Sequence, residues 1–434
     1  MLDEVSASTT NPRLGGWCQT RSPRLGFVGT LQVMTTDPVT EHGVGSLAGV
    51  HVLDFGRYVA GPWCAQLLQC LGADVVRVER PTGGEDRFLF PISDDLGAYF
   101  LHCNRGKRAM TLNPTKPAGR EVVARLIKWA DVIVANVPDD ALLAMGLDWD
   151  SVHGANPRAV LATASTFGTT GPYAGRVGFD GIGQVMSGAA YMSGYAGEPM
   201  KSFAPWVDYG TASNLAFAVM GALFARQTTG RGCRVEASLL GTALTATAHV
   251  LIEQAAVQRG RGATGNRHPA AGPSDLIATL DGHVLVQVVG DAIFARWCSM
   301  IGHPEFIDDP RFTSDELRGE NGPELTRRAG EWCATRTTAQ ALEEFAAASV
   351  PAGPLLSLQQ VLDDPHVASV MMERAERDHE GETVTVLAPP MRLSEGGAAL
   401  GAHGPALGEH TDQMLQAVGY DQAEIDRLRA ARII

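Results

Sequence analysis

Cysteine is scarce in this 434-residue chain: Cys18, Cys64, Cys70, Cys103, Cys233, Cys298 and Cys333 are scattered, with no pair spaced as CxxC. Such an odd, dispersed set supports neither a disulfide framework nor a zinc site. It is the usage of a reducing compartment, so the cytoplasm is the expected location. No apolar run reaches the roughly 18 to 20 residues that a membrane-spanning helix requires. The N-terminal stretch also lacks the uninterrupted apolar core of a signal peptide. An excess of basic residues is missing too, and a net charge of −13 argues against nucleic acid and anionic membranes as partners. What remains, 45% hydrophobic and 19% charged residues, is the composition of a globular protein long enough for two domains or one large discontinuous one.

Residues 1–45 mix Ser, Thr, Pro, Gly and charges without periodicity and read as a flexible extension. Order is expected from Leu47. The run VHVLDF is a short strand, AGPWCAQLLQCLG a helix ending near Gly72, and DVVRVERP a second strand closed by Pro81. The pattern then repeats, with AMTLN at 109–113 a strand, 116–130 a helix, and DVIVAN and AVLATASTFG two further strands. This alternation predicts a doubly wound, Rossmann-like parallel sheet, in which ligands bind at the carboxyl ends of the strands. The first strand is nonetheless followed by FGRYVAGP and not by GxGxxG, which disfavours a nicotinamide cofactor.

From 211 to 227 apolar residues are dense and Gly230 lies just beyond, so a buried helix is expected there, with Asp208 just before its first turn. Helix-initial amides lack intrahelical acceptors and carry partial positive charge, which favours a carboxylate in its ionised form. On spacing alone Asp208 reads as an N-cap. A second, alanine-rich helix is expected to about Gln258. The GRGATGNRHPAAGP stretch after it reads as a linker, TLDGHVLVQVVGD as a strand pair, and ETVTV with MRL as a hairpin.

Several strings, in one order, carry more than pattern. LDFGRYVAGPW, GADVVRVERPTGGED, NRGKRAMTLN, ADVIVANV, TFGTTGPYAG, GFDGIGQVMSG, VDYG and ARQTTGRGCRVEASLL together resemble the family III CoA-transferases, a group that includes α-methylacyl-CoA racemases. The likeness runs from about Leu47 to the C-terminus. It implies a large Rossmann-like domain from 46–225 and 340–434, with linker helices and a smaller α+β domain in 226–339. It also implies an open-ring monomer that interlocks with a second copy as a homodimer.

The resemblance assigns catalysis to Asp208. It places Val59, Ala60, Arg80, Leu112, Asn113, Asn136 and Val137 at CoA-contacting positions, Phe179 and Asp180 beside the reacting centre, and Gly265, Asn266 and His268 in a loop near the substrate. No metal and no permanently bound cofactor is implied, since CoA enters as a substrate with the acyl-CoA. The chain departs from the family at Pro138 and Ala144, where arginine is common; Arg108, Lys116 and Arg176 are the candidate replacements on the phosphates. For Lys107 and Arg108 the plain reading is surface charge.

Moving CoA from a thioester to a free acid needs a group that attacks the carbonyl and leaves again, and a side-chain carboxylate does both through a mixed anhydride. The expected partners are therefore an acyl-CoA and a carboxylic acid. Trp206, Tyr209, Phe179 and Tyr191 are candidate apolar walls, although core packing is the ordinary role of such rings. Phe179 stands where family racemases carry histidine, and phenylalanine accepts no proton. Two alternatives stay open at this level: a racemase-like or other acyl-CoA-modifying enzyme, and a non-catalytic acyl-CoA-binding protein.

Overall fold

The computed structural model describes residues 45–434 apart from 94–95, 377–381 and 398. Residues 1–44, and with them nearly all of the expected extension, lie outside the described residues. The first half of the chain runs β1 (His51–Asp54), α1 (Ala60–Gln69), β2 (Asp74–Glu79), α2 (Ala98–Asn104), β3 (Arg108–Thr111), α3 (Pro117–Trp129), β4 (Val132–Ala135), α4 (Asp139–Met145), α5 (Trp149–Ala155) and β5 (Val160–Ser165). There follow α6 (Asp180–Met186), α7 (Ala189–Met192), a minimal hairpin of β6 (Gly194–Tyr195) and β7 (Glu198–Pro199), α8 (Trp206–Thr229), β8 (Arg234–Ser238) and α9 (Leu239–Val257).

Six strands form one sheet in the order β3-β2-β1-β4-β5-β8, and every neighbouring pair is parallel. Both faces are buried, as parallel sheets require, so successive residues feed opposite cores. Leu53, Val76, Ile133 and Leu161 face a core shared with α3. Val52, Val75, Val132 and Val160 face a core shared with α1 and α8. The strand order reverses between β1 and β4, and the loops leaving their carboxyl ends open a crevice there. Gly61 lets α1 start close to that crevice, because a Cβ on it would lie 2.8 Å from Gly56 Cα and 3.0 Å from Asn136 Oδ1.

A second core gathers Ile277, Val284, Val286, Phe294, Trp297, Phe312, Leu325 and Phe345. It belongs to the antiparallel β9 (Ser274–Ala278), β10 (His283–Gln287) and β11 (Ala352–Pro354) with α10 (Asp291–Met300), α11 (Asp315–Glu320), α12 (Gly322–Cys333) and α13 (Thr338–Ala347). Helix α13 and strand β11 also belong to this core, with β11 paired to β10. After α14 (Leu358–Asp363), β12 (Met372–Glu376) pairs antiparallel with β13 (Thr383–Leu387). The ETVTV strand thus turns back onto MERAE and not forward onto MRL. Finally α15 (Thr411–Ala417) and α16 (Gln422–Ala430) return to the central sheet, where Met414, Leu415, Ile425 and Leu428 join the core of β1 and α3. Among the described residues no helix is long and apolar enough to cross a membrane.

Candidate active site

Helix α8 starts earlier than its apolar run suggests. Trp206 is its first residue, so Asp208 lies inside the first turn and does not cap it. The cap comes from another helix: Asp180 Oδ1 accepts from the amides of Val207 (2.8 Å) and Asp208 (3.0 Å). Asp180 is buried, and its other oxygen accepts from Gln184, whose carbonyl in turn accepts from Ser202 N at 2.8 Å. The helix-end amides expected to hold Asp208 as an anion are thus spent on Asp180. Among the described residues the Asp208 carboxylate accepts no hydrogen bond. Burial, and then the neighbouring Asp180, push it up to about 7. Near neutrality Asp208 is therefore divided between its acid and its ionised form, a correction to the expectation from helix-end geometry.

The carboxylate opens into a cavity of about 390 Å³. Its walls come from the loop after β1 (Arg57, Tyr58, Val59, Ala60), the loop after β4 (Asn136, Val137, Pro138), the end of β5 and the segment 163–179. A second cavity of about 320 Å³ adjoins it and shares Arg57, Val137 and Pro138. That cavity is bordered by Arg80, Leu112, Pro114, Thr115, Ala141, Ala144 and Met145. Together they make a trough along the carboxyl ends of the parallel strands, with Asp208 at one end.

Buried charge holds the trough's floor. Lys107, expected on the surface, is buried and donates to Asp54 (2.8 Å), Pro62 O (2.8 Å) and Asn104 Oδ1 (2.9 Å). Arg77 bridges Asp86 (2.8 Å) and Asp54 (3.7 Å) and donates to Gly56 O. Asp86 accepts from Tyr58 N at 3.2 Å. Burial raises the Asp54 carboxyl, but Lys107 and Arg77 outweigh it and hold the group below the usual range. Asn136 receives Arg57 N at 2.6 Å and donates to Arg57 O at 2.8 Å, which ties the β1 loop to the β4 loop across the switch point.

The structure brings together many of the residues singled out in the sequence. Val59, Ala60, Asn136, Val137, Arg176, Phe179 and Asp208 line the first cavity, and Arg80, Leu112 and Val137 the second. Arg80 donates to Gly83 O at 2.8 Å and pairs with Glu85. Phe179 meets Tyr58 edge-on at 5.7 Å and forms wall.

Others lie elsewhere. Arg108 begins β3 at the amino edge of the sheet, paired with Asp74 of β2, so it cannot replace a phosphate arginine at the carboxyl edge. Lys116 reaches the carbonyls of Ala431 and Arg432. Asn113 lines neither cavity and closes a turn by accepting from Thr115 N and Oγ1. Gly265 N donates to Gly194 O, and the Tyr195 ring stands 2.7 Å from where a Cβ on Gly265 would be. That docking holds the loop against the β6–β7 hairpin, and Gly265, Asn266 and His268 border neither cavity of their own chain. Among the other candidate walls, Tyr209 packs on Trp63 and Trp206 on the Val207–Leu239 cluster, while Tyr191 is exposed outside both cavities.

Sequence reading did not single out Arg57, which borders both cavities, within the strand-end stretch 54–60, and it missed the Arg234–Asp139 pair (3.0 Å) on the wall. The signal for Arg57 was available in a charged residue in the loop that leaves the carboxyl end of the first buried strand.

A Rossmann-order sheet with a cavity at the carboxyl ends of its strands and a carboxylate opening into it agrees with what comparison with known proteins finds. Residues 47–411 match the profile of CoA-transferase family III, and the chain belongs to that family of enzymes. A succinate–glutarate CoA-transferase of Agrobacterium fabrum is 30% identical, over 85% of this chain and 94% of that one. A formyl-CoA:oxalate CoA-transferase of Streptomyces avermitilis is 31% identical, over 90% and 99%. Among solved structures, a CAIB/BAIF family protein from Brucella suis superposes with a TM-score of 0.75 at 31% identity, over 86% of this chain and all of that one.

Proposed function

We propose that the protein moves CoA from an acyl-CoA donor to a free carboxylic acid through covalent intermediates on Asp208. The observation that carries this reading is the Asp208 carboxylate itself, open to the cavity, with no hydrogen-bond partner among the described residues and able to ionise near neutrality. Ionised Asp208 attacks the thioester carbonyl, the C–S bond breaks, and CoA leaves as thiolate with an acyl-aspartyl anhydride left behind. The thiolate then attacks the aspartyl carbonyl, releasing the donor acid and leaving an aspartyl-CoA thioester. The acceptor carboxylate displaces CoA to form a second anhydride. Thiolate attack on its acceptor carbonyl then frees Asp208 and yields the new thioester.

In this reading the nucleotide end of CoA lies in the second cavity near Arg80, the pantetheine arm passes Arg57, Val59, Ala60 and Val137, and Phe179 is apolar wall. Asp180 acts through Asp208 as a positioning residue. Phe179 offers no ionisable atom, so proton exchange on two faces of a substrate has no support. The names of the relatives are in keeping with a small organic acid as acceptor.

Helices α8 and α9 favour assembly as an interlocked homodimer of open-ring chains, each with its large domain and smaller α+β domain. Phe217 and Phe224 are each 82% exposed and Ile252 67%, an outward apolar face beyond what a monomer ordinarily leaves in water. Light scattering on this reading gives twice the chain mass of 46.0 kDa.

The direct test is trapping. Protein given acyl-CoA without acceptor and then hydroxylamine yields a hydroxamate on Asp208, read as a mass change on the peptide holding Trp206 and Tyr209. Turnover with no Asp208 adduct at any time would remove the covalent role.

A further inference from the structure

Two guanidinium groups on the wall of the Asp208 cavity form no ion pair among the described residues. Among the described residues Arg57 and Arg176 make no ion pair, whereas the third arginine there, Arg234, is taken by Asp139 (3.0 Å) and Glu236 (2.6 Å). A cation left without a counter-ion at a cavity wall is a place for an anion.

The two are not equivalent. Arg57 borders both cavities and so stands at the junction between them. Arg176 borders only the cavity that holds Asp208. It is also held in place: its amide donates to Tyr173 O at 3.1 Å, and its guanidinium lies 4.3 Å from the centre of the Tyr173 ring. Tyr173 packs on Phe167 at 5.5 Å, and the segment is closed by Thr166 Oγ1 donating to Gly178 O at 3.0 Å. A guanidinium stacked on a ring keeps its N–H edge for bidentate pairing with a carboxylate, and the stacking lowers the entropy lost on pairing.

We propose that Arg176 binds a second carboxylate on the acceptor, so that the acids this site prefers are short dicarboxylic acids. The inference rests on the CoA-transfer reading above. One carboxylate of the acceptor must stay free to attack the aspartyl-CoA carbonyl at Asp208. The other pairs with Arg176, which orients the acid with its reacting end toward Asp208. A monocarboxylic acid of equal length leaves Arg176 unpaired and gains nothing from it. Arg176, a candidate replacement for a phosphate arginine, is thus assigned to the acid and not to CoA.

The test compares glutarate with pentanoate, acids of one chain length and two or one carboxylates, with succinyl-CoA or butyryl-CoA as donor. Wild type is expected to favour glutarate in kcat/KM by roughly 10- to 100-fold, the worth of one charge-assisted hydrogen-bonded pair. Arg176→Gln is expected to erase that preference by raising KM for glutarate. Its kinetics with pentanoate and its calorimetric affinity for free CoA stay within about twofold of wild type. Arg176→Lys retains part of the preference, because it keeps the charge and loses the fork.

A preference that survives Arg176→Gln overturns the proposal. So does a loss of CoA affinity with an unchanged KM for glutarate, which makes Arg176 a phosphate residue. Equal use of both acids by wild type, or transfer to pentanoate alone, overturns the dicarboxylate assignment and leaves CoA transfer standing. No transfer from either donor to either acid overturns the parent reading and this one with it.

Discussion

Asp180 and Asp208 are joined by a single hydrogen bond of 3.0 Å, from the backbone amide of Asp208 to the Asp180 side chain, so one aspartate caps the helix that carries the other. The contact brings a second carboxylate close to Asp208, where it adds to burial in pushing that group up to about 7. One position on α6 thus both caps helix α8 and adds to the burial that raises the Asp208 carboxyl.

The pH profile should show this. A nucleophilic carboxylate works only when ionised, so kcat/KM for the acyl-CoA is expected to rise with pH through about 7 and then level off. Asp180→Asn keeps an oxygen for the two amides and removes the charge. Its inflection is expected at lower pH, though still above an ordinary aspartate because burial is the larger cause. Substrate ionisations are common to both proteins and cancel in the comparison. An unmoved inflection would show that Asp180 does not set the proton affinity of Asp208.

Stability carries the same signature with a definite sign. Between the ordinary value of 3.8 and about 7, Asp208 is ionised in the unfolded chain while the folded chain holds its proton. The folded state binds more protons there, so Asp208 costs stability as pH rises through that window. Asp208→Asn, which abolishes transfer in the proposed mechanism, is therefore expected to have a Tm advantage over wild type. That advantage grows from pH 4 to 7 and is constant above it. Calorimetric scans across that range check it, and a difference independent of pH would contradict the raised pKa.

Lys107→Met tests the floor of the trough. It leaves Asp54 buried with Arg77 at 3.7 Å as its remaining cation. Removing one partner of a buried pair costs about 3–5 kcal/mol. Urea denaturation should show a loss of that order, against the near-neutral result expected for a surface lysine.

Arg80 and Ala144 border the second cavity from different elements. Arg80→Ala is expected to raise KM for acyl-CoA more than it lowers kcat, because a phosphate contact remote from the carbonyl binds ground and transition states alike. Ala144→Arg adds a cation at an exposed helical position on that cavity and is expected to tighten CoA about three- to tenfold, measured by calorimetry. Unchanged affinity in both variants would place the nucleotide end elsewhere.

The alternation of buried strands and helices, the parallel Rossmann-like sheet, the β9–β10 strand pair and the family were legible in the sequence. Each depends on residues close together in the chain, such as the paired-face runs VHVLDF and DVIVAN or the turn residues after them. Asp208, Val59, Ala60, Arg80 and Val137 were singled out from strand ends and family-like strings, and the structure places them on the two cavities. Local pattern has no access to partners that meet only through space. It puts Asp208 before its helix, because apolar density begins at Thr211, while the cap comes from Asp180, 27 residues before Val207. It reads Lys107 as solvated, because burial of a lysine depends on Asp54, 53 residues away. It gives Arg108 and Arg176 equal standing, whereas the direction of β3 sends one to the amino edge of the sheet and the loop after β5 brings the other to the cavity. The sequence determined which elements form and which family the chain belongs to. Tertiary structure alone decided which charges are buried in pairs and which stand on the cavity wall with no ion pair among the described residues.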